Sequence, residues 1–177
     1  MNSQDAGKQK NKQNNASEPT RSRKFLTFFL AGEEYGIEIL KVHEIIGLLP
    51  ITRVPKTPEY VRGVINLRGK VIPIVDARVK FGMPAVEATN ETCIIVVQIR
   101  GLDVGVVVDR VSEVIDIPEE EIAPTPSFGS EFNTELILGI GKTQDRVKIL
   151  LNIDLMLLSG ELPQFEEANG VAEKQAS

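Results

Sequence analysis

Arg68 is the residue whose type and setting most invite a chemical reading. It lies in Leu67-Arg68-Gly69-Lys70, between the apolar runs Val64-Ile65 and Val71 to Val75. The β-branched content of both runs argues for strands rather than helix. Gly69 sits where a tight turn needs a residue tolerant of positive φ, and Lys70 keeps the tip in water. Val61 to Asp76 therefore reads as a hairpin carrying a cation at its tip. A guanidinium there can orient on a carboxylate while presenting its remaining donors. The same residue also reads as a solvated turn arginine, because a tip that needs only solubility accepts almost any polar side chain.

Little else in the chain offers catalysis, which needs a nucleophile beside a base, a metal cluster or paired acids in a cleft. Ser112 and Ser127 lack the context of a nucleophile elbow. There is no Walker-type glycine loop and no dinucleotide fingerprint. Glu119-Glu120-Glu121 lacks the Asp/Asn/Gly alternation of a calcium loop and reads as a solvated acidic turn. One Cys and one His build neither a disulfide framework nor a zinc site. Cys93, inside Thr92 to Val97, reads as a buried small hydrophobe, and His43 as a surface histidine. No cofactor and no metal are expected. The chain tilts toward a binding module.

Composition narrows the classes further. The 177 residues are 42% hydrophobic but only 5% aromatic, without Trp, so the core must be built from Val, Ile and Leu. A formal charge of −5 argues against nucleic acid as the main partner, since phosphate binding usually requires a basic face. The amino terminus is polar and the apolar runs are short, so neither a signal peptide nor a spanning segment is expected, and the chain reads as cytoplasmic.

The elements that must position Arg68 read as follows. Residues 1–23, rich in Asn, Gln, Lys and Ser, form an expected disordered tail, with order beginning at Phe25. Phe25 to Ala31 and Tyr35 to Ile37 read as paired strands around Gly32-Glu33-Glu34. Ile39 to Ile46 shows helical spacing for two turns; alternatively the same residues extend the strand. Pro55-Lys56-Thr57-Pro58 forces an extended connection into the hairpin. Asp76 stands at an N-cap before a short helix, Ala77 to Phe81, that Gly82 ends. Further strands are expected at Thr92 to Ile99, Val104 to Val108, Leu136 to Gly141 and Arg146 to Ile153. A loop is expected from Pro118 to Ser130, with Asp154 as the cap of a last helix, Leu155 to Ser159. Residues 161–177 read as a flexible acidic tail.

The chain also repeats itself. A shift of 69 positions lays Gly32 on Gly101, Gly36 on Gly105, Val42 on Val111, Glu44 on Glu113 and Ile46 on Ile115. A shift of 78 lays Val71-Ile72 on Ile149-Leu150 and Val75-Asp76 on Ile153-Asp154. The change of shift falls in the Pro118 to Ser130 loop. Two copies of one five-strand unit are implied, at about 25–87 and 90–155. Each is too small to bury much core alone, so a shared core is expected. Many short strands with Gly and Pro turns favour small closed barrels.

On the residues Gly32 to Ile37, Leu40 to Ile45, Val61 to Asp76 and Val106 to Val114, the chain resembles the CheW-like coupling proteins of bacterial chemotaxis. The resemblance runs from about Phe25 to Ser159 and implies one CheW-like domain at 24–160. It would be mainly β, two packed five-stranded SH3-like barrels with a few short helices. It further implies a non-enzymatic adaptor that links chemoreceptors to the histidine kinase CheA at receptor arrays on the inner face of the membrane. Positions that match the family's receptor-binding residues are Val42, Glu44, Gly63 and Arg68. Glu44 and Arg68 are opposite in charge, and the arginine fork is expected within reach of the carboxylate. Phe128 matches a kinase-contact position, although a large apolar residue in such a loop more often tucks inward than binds a partner. Ala123 departs from the basic residue common in close relatives. A competing reading, a small-barrel nucleic-acid binder using Arg53, Lys56, Arg62, Arg68 and Lys70, wants stacking aromatics and finds only Tyr60.

Overall fold

A computed structural model describes residues 21–126, 134–143 and 145–158. Chain order gives β1 (Ser22–Leu30), β2 (Glu33–Glu38), a 3-10 turn at Ile39–Lys41, β3 (Val42–Gly47), β4 (Val61–Leu67) and β5 (Lys70–Asp76). Then come α1 (Ala77–Lys80), β6 (Cys93–Ile99), β7 (Leu102–Val108), β8 (Arg110–Pro118) and β9 (Ile122–Ala123). The last are β10 (Ile137–Thr143), β11 (Arg146–Leu151) and α2 (Ile153–Leu158). These form two mixed sheets, ordered β8-β1-β2-β11-β10-β9 and β3-β6-β7-β5-β4. Neighbours are antiparallel except for β2 with β11 and β5 with β7.

The two orders are the same sequence of repeat positions. In each sheet the first two strands of one half lie between the third strand and the last pair of the other. The sheets therefore do not follow the halves 25–87 and 90–155, as a unit-by-unit reading expects: each is assembled from both. An exposed β1–β2 edge finds its parallel neighbour only in β11, which lies more than a hundred residues later.

Apolar packing obeys the same logic. Each sheet packs a small apolar cluster of its own. One holds Ile65, Ile72, Ile94 and Val96; the other holds Phe25, Ile117 and Leu150. Phe25 and Ile94, and likewise Leu150 and Ile72, are repeat mates, so the strand period places corresponding residues at corresponding depths. A larger cluster, including Leu26, Phe28, Val75, Ile95, Val106 and Met156, lies between the sheets. At about 25 cal/mol per Å² of apolar area this burial is the main favourable term.

Several local expectations change. Ile39 to Ile46 is one 3-10 turn followed by a strand, because β6 offers a ladder from Val42 to Gly47 that two helical turns could not use. β1 starts at Ser22 rather than Phe25, since Ser22 and Arg23 pair with Pro118 and Ile117. Asp76 does cap α1, accepting from the Val79 amide at 3.3 Å. Asp154 caps nothing: Asn152 Oδ1 takes the Leu155 amide at 3.1 Å, and Asp154 instead pairs with Lys41 at 2.7 Å. Part of the Pro118 to Ser130 loop is structured, as a 3-10 turn at Glu119–Glu121 and the short β9. Cys93 is half-buried, and burial pushes its thiol up. The expected tails at 1–20 and 161–177, and Ser127 and Phe128, lie outside the described residues.

Candidate functional site

The β4–β5 turn places Arg68. Arg68 and Gly69 both have positive φ, 53° and 85°, as a two-residue type I′ hairpin turn requires. Asn66 Oδ1 accepts the Gly69 amide at 2.8 Å and closes the turn. The tip therefore points Arg68 away from its own strands, with its side chain 71% exposed.

β3 and β4 are the two ends of one sheet, yet Arg68 spans them. Its Nη1 lies 2.8 Å from Glu44 Oε1 and its Nη2 3.0 Å from Oε2, a fork-on-fork pair. The expected reach of the guanidinium to the carboxylate is thus met. The hydrogen bonds from Arg68 hold the Glu44 carboxyl below its ordinary range, and Glu44 in turn raises Arg68. Val42, half-buried, lies two residues before Glu44 on the same strand.

Gly63 belongs to this site differently. It is buried, at a bulge between Val61 and Gly63 where β4 crosses the segment around Thr52. Thr52 and Val64 exchange both backbone bonds at 2.9 Å. A Cβ on Gly63 would stand 2.0 Å from the Thr52 carbonyl oxygen, and its φ is +139°. It has no side chain to offer a partner; it allows a backbone approach that sets the hairpin.

Sequence reasoning missed a second arm of the cluster. Asp103 on β7 is buried, its side chain 4% exposed, and accepts Lys70 Nζ at 2.8 Å on Oδ2. His43 Nδ1 lies 3.1 Å from its Oδ1. Burial pushes the Asp103 carboxyl upward, but Lys70 and His43 outweigh it and leave it below the ordinary aspartate range. The available signal was the repeat, which aligns Asp103 with Glu34 and Lys70 with Lys148; that second pair closes at 3.1 Å.

Of the cations in the nucleic-acid reading, Arg62, Arg68 and Lys70 each sit on a carboxylate, of Asp76, Glu44 and Asp103 respectively. Tyr60 lies under Lys80, 3.9 Å from its ring centroid. Among the described residues no group of three or more His, Cys, Asp or Glu is placed to hold a metal ion. Among them, too, no helix is long and apolar enough to cross a membrane. What the geometry offers is an oriented, exposed set of hydrogen-bond donors on a rigid sheet end.

Comparison with known proteins agrees with that character. Residues 24–161 match the family described as the CheW-like domain. The chain is 43% identical over 143 residues to the chemotaxis protein CheW of Klebsiella aerogenes, covering 81% of this chain and 86% of that one. It is 37% identical over 155 residues to the chemotaxis protein CheW of Bacillus subtilis, covering 87% and 89%. The crystal structure of the scaffolding protein TtCheW from Thermoanaerobacter tengcongensis superposes with a TM-score of 0.72 at 38% identity, covering 79% of this chain and 95% of that one. The chain belongs to the CheW-like family, the non-enzymatic adaptors of bacterial chemotaxis.

Proposed function

We propose that this protein couples chemoreceptors to the histidine kinase CheA, in the cytoplasm, at receptor arrays on the inner face of the membrane. The receptor's cytoplasmic domain is engaged by the face carrying Val42, Glu44 and Arg68, with Gly63 setting the hairpin that presents it. The regulatory domain of CheA docks on the loop carrying Phe128. The same reading takes each sheet as a five-stranded SH3-like barrel.

One observation carries it: the two-bond Arg68–Glu44 pair at an exposed sheet end. Exposed ion pairs contribute little to stability, so an arginine held in one orientation by a carboxylate is better explained by what its outer donors meet. Arg68→Ala should lower receptor affinity and kinase activation in a reconstituted receptor–kinase assay, with melting temperature and direct kinase binding almost unchanged. Arg68→Lys should rescue poorly, because it keeps the charge and loses the fork. Wild-type coupling by Arg68→Ala would sink the reading. For the kinase side, Phe128→Ala should weaken CheA binding by roughly 1–2 kcal/mol or more with the fold intact; equal losses of stability and binding would make it a core residue instead.

A further inference from the structure

The internal repeat separates what the fold needs at a hairpin tip from what is added. A lysine–carboxylate clamp occurs in both halves, Lys70 on Asp103 at 2.8 Å and Lys148 on Glu34 at 3.1 Å. Beyond that clamp the two ends differ. Lys148 is buried, whereas the Lys70 side chain is 59% exposed. Arg146, the repeat mate of Arg68, has no ion pair among the described residues, and Ser112 stands where the first half has His43. What the first end adds is the exposure of Lys70, a carboxylate under Arg68 and an imidazole at His43.

The exposed basic side chains of this end share one arrangement. Arg68, Lys70 and His43 are each held from one side by a carboxylate, and their side chains are 71%, 59% and 57% exposed. Glu44 and Asp103, which hold them, are far more covered, at 26% and 4%. A guanidinium has five N–H donors and an ammonium three, so Arg68 and Lys70 keep donors to spare. The outward face is rich in donors and poor in acceptors.

We propose that Arg68 and Lys70 form a cationic lip that receives carboxylate side chains from an acidic segment of the receptor, with Asp103 as the positioning residue that holds Lys70 in place. This deepens the receptor-binding reading above and rests on it. The fork of Arg68 supplies geometric choice, and Lys70 adds charge on the same side, which favours encounter with an acidic partner and makes binding sensitive to salt.

The test measures binding of a chemoreceptor cytoplasmic fragment to the full chain at low and high salt, with melting temperatures alongside. Wild-type affinity should fall as salt rises. Lys70→Glu, at an exposed position, should weaken binding about tenfold at low salt and flatten the salt dependence, and Lys70→Met should do so by about threefold. Asp103→Asn should weaken binding, but much less in the Lys70→Met background, because it acts through Lys70; a purely structural role would give additive losses. If the wild type binds and Lys70→Glu binds as well or better, the lip is wrong while the receptor reading stands. If the wild type does not bind the fragment at all, the receptor reading fails and the lip with it.

Discussion

Arg78 shows what the same chemistry does when it is more enclosed. Its Nε and Nη2 meet the Asp109 carboxylate at 2.7 and 2.6 Å, and the Ala31 amide donates to the same group at 2.9 Å. Hydrogen bonding from Arg78 holds the Asp109 carboxyl below its ordinary value, against the opposing effect of burial. A depressed carboxyl contributes stability that is full above the unfolded aspartate value and is lost as pH falls through the folded one. Arg78→Met should therefore cost roughly 1–3 kcal/mol near neutral pH, the range for hydrogen bonds to charged groups. That cost should shrink in acid, where Asp109 is protonated in both proteins. Melting curves across pH check this, and a cost independent of pH would show that the pair is not its source. The Arg68–Glu44 pair, whose guanidinium is 71% exposed, should show a smaller effect.

At the scale of the element, the hairpin is positioned as much by a backbone contact as by side chains. The bulge at Gly63 lets the Thr52 segment cross β4 at hydrogen-bonding distance. Gly63→Ala must move that crossing, and the loss should be about 2 kcal/mol or more. Receptor binding should fall with it, because the tip that carries Arg68 is anchored through β4. An unchanged melting temperature with lost binding would instead make Gly63 a contact position. The resemblance drew attention to this residue, and the crossing strand explains why a glycine stands there.

The whole molecule is an exchange between halves. β1 and β2 need β8 on one side and β11 on the other, while β6 and β7 need β3 and β5. Expressed apart, residues 23–87 and 90–161 would each lack neighbours for four strand edges and half of the inter-sheet cluster. Each fragment alone should give poorly dispersed amide spectra, and mixing the two should restore dispersion. Two separately folded halves would contradict the exchanged arrangement.

The strands, their turns and the repeat were legible in the sequence because they depend on local chemistry. Alternating apolar residues, Gly69 at the turn and Asp76 before α1 each act within a few positions of themselves. Arg68 could be named for the same reason, at the tip of a hairpin; Glu44 was named through the family resemblance. Which strands would pair was not legible. A repeat gives each strand two chemically similar partners, its own and its mate's, and β2 chose β11 while β5 chose β7. That choice is made by the parallel ladders and the apolar area buried between sheets, which are sums over residues distant in sequence. It alone brings Asp103 under Lys70 and His43 and β3 within reach of Arg68. The sequence determined the pieces and the family; tertiary pairing decided which charges meet.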